Sequence, residues 1–563
     1  MLPTNRTYAP VQAFVDELVR CGVRHAVTCP GSRNAPIILA LAEREELECV
    51  SVIDERSAGF VALGIARAAR SPVAITCTSG TAAANLHPAV AEAREASVPL
   101  LVLTADRPPE LRDVGAGQSI DQLDLYGRAA KWFVEVGSHE PGRASAVHHR
   151  GLACRSLATA VGGRPGPVHL NFPLRDPLAP VSEQLDPADW EGRADGRPWT
   201  EVERAAGTPD LSGLARRIDG ASRGVVVCGD ASEDVAEPLA RFAAARGWPL
   251  LADPASGVRC GPHDRSHVIA HYDVLLRVPG FAEQHRPDLV LRVGEPPVSQ
   301  SLRAWLAGAE QIVVDPLESW HDPSRDARLV VAAPPAPLLD ALAAAPGQAN
   351  TDWVGSWRRA DALVPPALAA MPEGFEGRIA AALEPALPDD ALLWLSYSMP
   401  VRDVDAFFPT SPKPLRFLAG RGANGIDGVV SSAAGAALGS GRPAFVITGD
   451  VALVHDVGGL LAASRAGVDL TVVCVNNDGG AIFDFLPVAG AAERETYERH
   501  IATPHGVDLE AMARLAGLEH RLAATAEELQ AAVGAPGLVE VRTDRETNVE
   551  LHAELVRRVA ESL

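Results

Sequence analysis

Residues Ala444–Phe483, AFVITGDVALVHDVGGLLAASRAGVDLTVVCVNNDGGAIF, decide how this chain folds. An apolar run ends in Gly449-Asp450, an amphipathic segment of about a dozen residues follows, and a second β-branched run ends in Asn476-Asn477. That is the pattern of a strand, a crossover helix and a parallel strand. Parallel neighbours present their carboxyl ends on one edge of a sheet, so Asp450 and Asn477 are expected side by side where open α/β sheets bind ligands. A carboxylate, an amide carbonyl and a main-chain carbonyl from the Gly479-Gly480 turn offer three oxygens to a hard cation. The remaining octahedral positions suit two phosphate oxygens and a water, which is the habit of magnesium. Asp450, Asn477 and Gly479 are therefore the candidate metal ligands, with Asp450 anchoring a diphosphate. The plainer alternative is an ordinary βαβ unit whose strands end in turn-forming Asp and Asn.

The 563 residues, 47% of them hydrophobic, are enough for about three domains with ordinary cores. A formal charge of -21 repels nucleic acid and anionic membrane surfaces, so an anionic substrate has to meet a local basic cluster. Lys131 and Lys413 are the only lysines, and arginine carries the rest of the positive charge. The eight cysteines (21, 29, 49, 77, 154, 228, 260 and 474) are scattered through apolar runs without a CxxC pair, as expected of buried thiols in a reducing compartment. The opening MLPTNRTYAPVQAFVDEL lacks the layout of a signal peptide, and no apolar run approaches the roughly 20 residues that span a bilayer. A cytoplasmic protein with no membrane or nucleic-acid partner is the expectation.

From Pro10 to about Ala179, apolar runs (HAVTC, CVSVI, PVAITC, PLLVLTA) alternate with alanine-rich helical segments, the mark of a doubly wound parallel sheet. A linker rich in Pro, Asp, Glu and Gly between Pro180 and Pro209 precedes GVVVCG, which opens a second α/β block. Ala-Pro-rich sequence from Ala333 to Ala349 marks the next boundary. The expected architecture is α/β: three doubly wound parallel-sheet domains in series, over 1–182, 183–345 and 346–563.

The Gly449-Asp450 to Asn476-Asn477 spacing resembles the cofactor signature of thiamine diphosphate enzymes, with Val451 where a third glycine is commoner. In that family two domains share the cofactor, here the first as the pyrimidine side and the third as the diphosphate side. The cofactor's aminopyrimidine removes a proton from the thiazolium carbon once a carboxyl group hydrogen-bonds the opposite ring nitrogen, which calls for a glutamate at a strand end. CVSVIDERSAGFVALGIARAAR supplies Glu55, at the end of a strand and just before a helix, in apolar surroundings that favour a shared proton. Alternatively, Asp54 and Glu55 are first-turn charges favoured by the helix dipole. Further on, TSGTAAANLHPAV supplies Gly80 and Asn85, similar to the pyrimidine-side loop of that family.

Four motifs narrow the resemblance: PGSRNAP (30–36), TADRPPELRDVGAGQSIDQLDLYG (104–127), RGANGIDG (421–428) and NNDGGAIFDFLP (476–487). Together, and in this order, they resemble the 2-succinyl-5-enolpyruvyl-6-hydroxy-3-cyclohexene-1-carboxylate synthase family of menaquinone biosynthesis. The match runs through nearly all of the first and third blocks and is looser in the middle one. The resemblance implies thiamine diphosphate with Mg2+ (or Mn2+), decarboxylation of 2-oxoglutarate, and addition of the succinyl unit to isochorismate. Both substrates are dicarboxylates, which a planar guanidinium pairs bidentately. Carried over by motif, Ser32, Arg33, Arg107 and Gln118 would hold isochorismate. Ser398, Arg402 and Arg421 would bind the part derived from the oxoacid. Ile426 would be the apolar wedge under the cofactor, with Phe483 and Leu486 its apolar wall. A homodimer or dimer of dimers with shared active sites is implied too. One departure stands at PPVSQSLRAW, where Gln300 and Ser301 replace an expected basic residue and Arg303 is the nearest substitute.

Each arginine alone also fits an ordinary surface or ion-pair role. Two other functions remain open: a different thiamine diphosphate-dependent 2-oxoacid decarboxylase or carboligase, and a non-catalytic cofactor-binding regulator on the same fold. Intact Glu55, Asp450 and Asn477 speak against the regulator. GPHDRSHVIAHYDVLL spaces His263, His267 and His271 four apart, which on one helix face would suit zinc, but no acidic or cysteine ligand completes the set.

Overall fold

A computed structural model describes residues 5–137, 139–203, 211–231, 233–345 and 347–563. Residue 346, where the third domain is expected to open, and residues 204–209 of the expected linker lie outside them. Among the described residues, three six-stranded parallel sheets form along the chain. In spatial order the first holds Glu48–Ser51, His25–Thr28, Val73–Cys77, Leu100–Asp106, Val168–Pro173 and Trp132–Glu135. The third holds Arg416–Ala419, Leu392–Leu395, Ala444–Gly449, Leu470–Asn476, Gly537–Arg542 and His520–Ala523. Numbered within each sheet, both are wound 2-1-3-4-6-5. The middle sheet holds Val268–Ile269, Leu250–Ala252, Gly224–Cys228, Leu289–Val293, Gln311–Val314 and Ala327–Val331, wound 3-2-1-4-5-6. That is the order of dinucleotide-binding sheets, here without their glycine fingerprint.

The strands form where the apolar runs predict them because helices cover both faces, and every residue of Leu100–Asp106 and Leu289–Val293 is buried. The chain divides into two compact units. One comprises Met1–Arg204, Gly420–Ala444 and His455–Leu470; the other comprises Ala205–Ala419, Phe445–Val454 and Thr471–Leu563.

Within the first unit, helix Glu55–Ala69 crosses helix Val429–Ser440 at backbone contact. A Cβ on Gly64 would lie 2.0 Å from the Ser432 carbonyl oxygen, and one on Gly435 would lie 2.1 Å from that of Val61. Only glycine allows this approach. The crossover of the opening stretch is not one helix but two, Asp450–His455 and Val457–Arg465. Between them the buried Asp456 carboxylate accepts from the Ser431 N–H at 2.7 Å and its hydroxyl at 2.8 Å. A tertiary partner thus breaks a helix that periodicity alone leaves continuous.

Both lysines serve helix ends. Lys131 Nζ donates to the carbonyls of Thr159, at 2.6 Å, and Gly162, where helix Arg143–Val161 stops. Lys413 Nζ donates to Glu384 at 2.7 Å and Leu387 at 2.8 Å, closing helix Glu376–Ala386. A cation there meets the negative end of the helix dipole and its unpaired carbonyls.

Candidate active site

In a sheet wound 2-1-3-4-6-5, the chain's direction of travel reverses between its first and third strands, and the loops leaving those two strands open a crevice. In the first sheet these loops carry Ser32 and Arg33 on one side and Gly80 on the other. In the third sheet they carry Ser398 and Asp450.

Glu55 is half-buried at the first position of helix Glu55–Ala69. Asp54, not Glu55, caps that helix, accepting from the Arg56 N–H at 2.8 Å. The Glu55 carboxylate makes no hydrogen bond or ion pair among the described residues. After burial itself, its charge helps push up the thiols of Cys29 and Cys77 at the adjacent strand ends.

A basic corner lies on the same edge. Arg33 donates to the Leu174 carbonyl at 2.9 Å, its Nε is buried without a partner, and its pKa is lowered by burial and then by the charge of Arg107. Asp176 Oδ1 lies 4.0 Å from Arg33 Nη1 and only partly offsets this, so the like-charged pair favours a further anion. Arg107 donates through Nε to the Gly117 carbonyl at 3.1 Å, which ties it to the loop bearing Gln118. Gly80, with φ of +86°, lies beneath that loop, and an added Cβ would meet Gln118 Cα at 3.4 Å. Asn85 is exposed at the end of the short helix Thr81–Asn85 that leaves the Gly80 turn.

Arg421 and Ile426 belong to the same unit. Their loop is pinned at one end by Glu92, which accepts from the N–H groups of Gly422 at 2.9 Å and Ala423 at 2.6 Å. At the other end Gly428, with φ of +66°, leaves no room for a Cβ beside the Phe60 ring, 1.9 Å away.

The second unit holds the candidate metal ligands and the other substrate residues. Asp450 is 1% exposed; Oδ1 accepts from Val451 N–H at 2.8 Å and Oδ2 from Gly479 N–H at 2.9 Å. Burial raises its pKa against the pull of those two donors and of His505, whose Nε2 lies 3.2 Å from Oδ2. Asn477 donates through Nδ2 to Glu376 Oε1 at 3.0 Å, while its Oδ1 is buried without a hydrogen-bond partner among the described residues. Gly479, with φ of +151°, passes so close to Ala502 that a Cβ would lie 2.6 Å from its carbonyl oxygen. An orphaned buried amide oxygen beside a buried carboxylate fits a divalent cation, since both are hard oxygen donors. Ser398 opens helix Met399–Phe407 with φ of +78°, an uncommon conformation for a side chain, and its carbonyl accepts from Arg402. The Arg402 guanidinium lies 5.0 Å from the centre of the Tyr397 ring. Phe483 and Leu486 are 37% and 42% exposed, large apolar side chains at the surface of this unit.

The three spaced histidines do not share a helix face, because the helix begins only at Tyr272. His263 pairs with the Val258 carbonyl at 2.7 Å, His267 with that of Trp248 at 3.1 Å, and His271 with Asp361 at 3.2 Å.

Several supporting residues escape sequence reasoning. Gln122 accepts from the Gly80 N–H at 2.8 Å and donates to Asn171 Oδ1 at 2.9 Å, supporting the Gly80 turn from below. Glu376 lies behind Asn477, and burial with nearby Asp403 raises its pKa to about 7. In GFEGRIAAALE it looks like any first-turn helix acid, and His505 in TPHGVD carries no motif at all.

Residues 10–125 match the family described as "Thiamine pyrophosphate enzyme, N-terminal TPP binding domain", residues 188–395 "Middle domain of thiamine pyrophosphate", and residues 402–541 "Thiamine pyrophosphate enzyme, C-terminal TPP binding domain". With two crevices of the kind just described, the chain is a thiamine diphosphate-dependent enzyme. Proteins named 2-succinyl-5-enolpyruvyl-6-hydroxy-3-cyclohexene-1-carboxylate synthase are similar to it along nearly its whole length. The one from Myxococcus xanthus is 44% identical over 98% of this chain and 97% of its own. Those from Geobacillus thermodenitrificans (42%; 100% and 97%) and Natronomonas pharaonis (41%; 90% and 89%) are comparable. The chain belongs to this synthase family.

Proposed function

We propose that the protein decarboxylates 2-oxoglutarate and adds the succinyl unit to isochorismate, giving 2-succinyl-5-enolpyruvyl-6-hydroxy-3-cyclohexene-1-carboxylate and carbon dioxide, a step of menaquinone biosynthesis. The observation that carries this is 44% identity over 98% of the chain to a synthase of that name. Thiamine diphosphate, when bound, supplies the acidic ring carbon at which a 2-oxoacid loses carbon dioxide. Asp450, Asn477 and the Gly479 carbonyl would hold Mg2+ or Mn2+ and through it the diphosphate; the donor set and the orphaned Asn477 oxygen support this. Glu55 is assigned to the aminopyrimidine, with Gly80 and Asn85 on the same side. Ile426, Phe483 and Leu486 are its apolar supports.

Arg33 and Arg107, with Ser32 and Gln118, orient isochorismate by its carboxylates. The support is that Arg33 and Arg107 carry like charge at one corner, where burial and the charge of Arg107 lower the Arg33 pKa despite Asp176 and Asp106. Ser398, Arg402 and Arg421 take the carboxylate of the succinyl portion. We assign the pyrimidine-side, central and diphosphate-side domains to 1–182, 183–345 and 346–563. The enzyme is assigned to the cytoplasm, in keeping with free cysteines and with no helix long and apolar enough to cross a membrane among the described residues. It works as a homodimer or dimer of dimers whose active sites take Glu55 from one chain and Asp450 from its partner. Supplying thiamine diphosphate, magnesium, 2-oxoglutarate and isochorismate should yield carbon dioxide and the adduct; turnover of pyruvate in preference to 2-oxoglutarate would sink the assignment.

A further inference from the structure

We infer that Glu376 is a positioning residue for Asn477, fixing which atom of its side-chain amide faces the metal; this rests on the assignment of Asn477 as a ligand. A carboxamide is nearly symmetric in shape, and a half-turn exchanges its carbonyl oxygen for its NH2 group. Only the oxygen can bind a cation, so the site works in one of the two orientations. Nothing in the Asn477 backbone selects between them.

Glu376 does. It opens helix Glu376–Ala386 at 2% exposure, and its N–H donates to Asn548 Oδ1 at 3.3 Å, which fixes where that helix starts. Its Oε1 accepts from Asn477 Nδ2 at 3.0 Å and from Thr543 Oγ1 at 2.7 Å. Thr543 already occupies one lone pair of Oε1. With the carboxyl ionised, or protonated on Oε2, Oε1 is an acceptor, and Asn477 turns its NH2 toward it. Oδ1 then faces the other way, where it is buried with no protein partner. Asp450 is tied to the same turn by its bond from the Gly479 N–H at 2.9 Å. A carboxylate behind a ligand is a familiar way of setting ligand orientation, and its loss costs about tenfold to a hundredfold in metal affinity. The ordinary alternative is that Glu376 merely stabilises the start of its helix.

The test reads Mg2+ binding rather than turnover. Intrinsic fluorescence follows thiamine diphosphate binding to the full-length protein as Mg2+ is titrated. The comparison covers wild type, Glu376→Met, Glu376→Gln, Asn477→Ala and the Glu376→Met/Asn477→Ala double variant, with circular dichroism confirming the fold. Glu376→Met should raise the half-saturating Mg2+ about tenfold or more. Glu376→Gln, which keeps an oxygen acceptor, should restore nearly wild-type affinity. The double variant should match Asn477→Ala alone, because two residues acting through one atom are not additive. Glu376→Ala supplies the same comparisons if the methionine variant does not fold. Wild-type Mg2+ affinity in Glu376→Met, or an equal loss on both backgrounds, would overturn the inference. If instead Asn477→Ala leaves Mg2+ binding unchanged, the ligand assignment itself is wrong.

Discussion

Acidification should loosen the first sheet through a single buried ring. Asn171 donates through Nδ2 to Asp106 at 2.9 Å and to Glu135 at 2.7 Å, so its Oδ1 is the acceptor for Gln122 and for the Thr104 hydroxyl at 2.9 Å. Thr104 has then used its proton, and it must accept from His169 Nε2 at 2.8 Å. Its Nδ1 is buried without a partner among the described residues, so His169 is the neutral Nε2–H form. Charging it would place a cation among the Tyr126 and Phe133 rings, whose centres lie 4.6 Å and 5.1 Å away, and burial lowers its pKa from 6.5 to about 3. A folded pKa below the unfolded one gives stability that is present above about pH 6.5 and lost as the pH falls toward 3. Between pH 8 and pH 5 the loss comes to about 2 kcal/mol. His169→Phe removes the titrating group and orphans no donor, since Thr104 keeps its bond to Asn171. It should cost about 1 kcal/mol at pH 8 for the lost hydrogen bond. At pH 5 the comparison should shift by about 2 kcal/mol in the variant's favour. Hydrogen exchange of the strand Val168–Pro173, read by mass spectrometry and corrected for intrinsic rates, measures the opening free energy at each pH. An unchanged difference between wild type and variant at the two pH values would refute the lowered pKa and its consequence.

Other expectations concern the site directly. Asp450→Ala removes the only charged metal ligand, so thiamine diphosphate affinity in magnesium should collapse, as calorimetry would show. Arg402→Lys keeps the charge but not the two-pronged contact; 2-oxoglutarate kinetics should worsen while cofactor binding holds, and the reverse pattern would remove Arg402 from the substrate. Inactive Glu55→Gln and Asp450→Ala chains, co-expressed, should recover about a quarter of wild-type activity, because random pairing makes half the dimers mixed and each mixed dimer holds one intact site. Purified, folded mixed dimers as inactive as either parent would defeat shared sites.

The sheets were legible because parallel strands covered on both faces need unbroken apolar runs, and the ends of those runs placed Asp450, Asn477 and Gly80 on sheet edges. The first and third sheets share one strand order. What sequence could not give is whatever depends on a distant partner. Asp456 breaks its helix because Ser431 lies beside it, twenty-five residues earlier in the chain. His263, His267 and His271 have helical spacing, yet each is held by a different backbone or carboxylate group. Glu376 reaches Asn477 across 101 positions, and no local pattern marks such a pair. Asp54 and Glu55 are adjacent acids at a helix start, and only the structure shows that the first takes the capping role and leaves the second free.

The placement of the two lysines matters to anyone handling this protein at the bench. Amine-directed reagents, whether succinimidyl dyes, bifunctional cross-linkers or resins for immobilisation, need an accessible and unprotonated amine. Lys131 and Lys413 each have that nitrogen turned into the end of a helix, bonded to carbonyls. Modifying either would trade a helix cap for a tag, so slow lysine labelling is a sign of intact folding and rapid labelling a sign of damage. Arginine-directed dicarbonyls are the more practical surface probes.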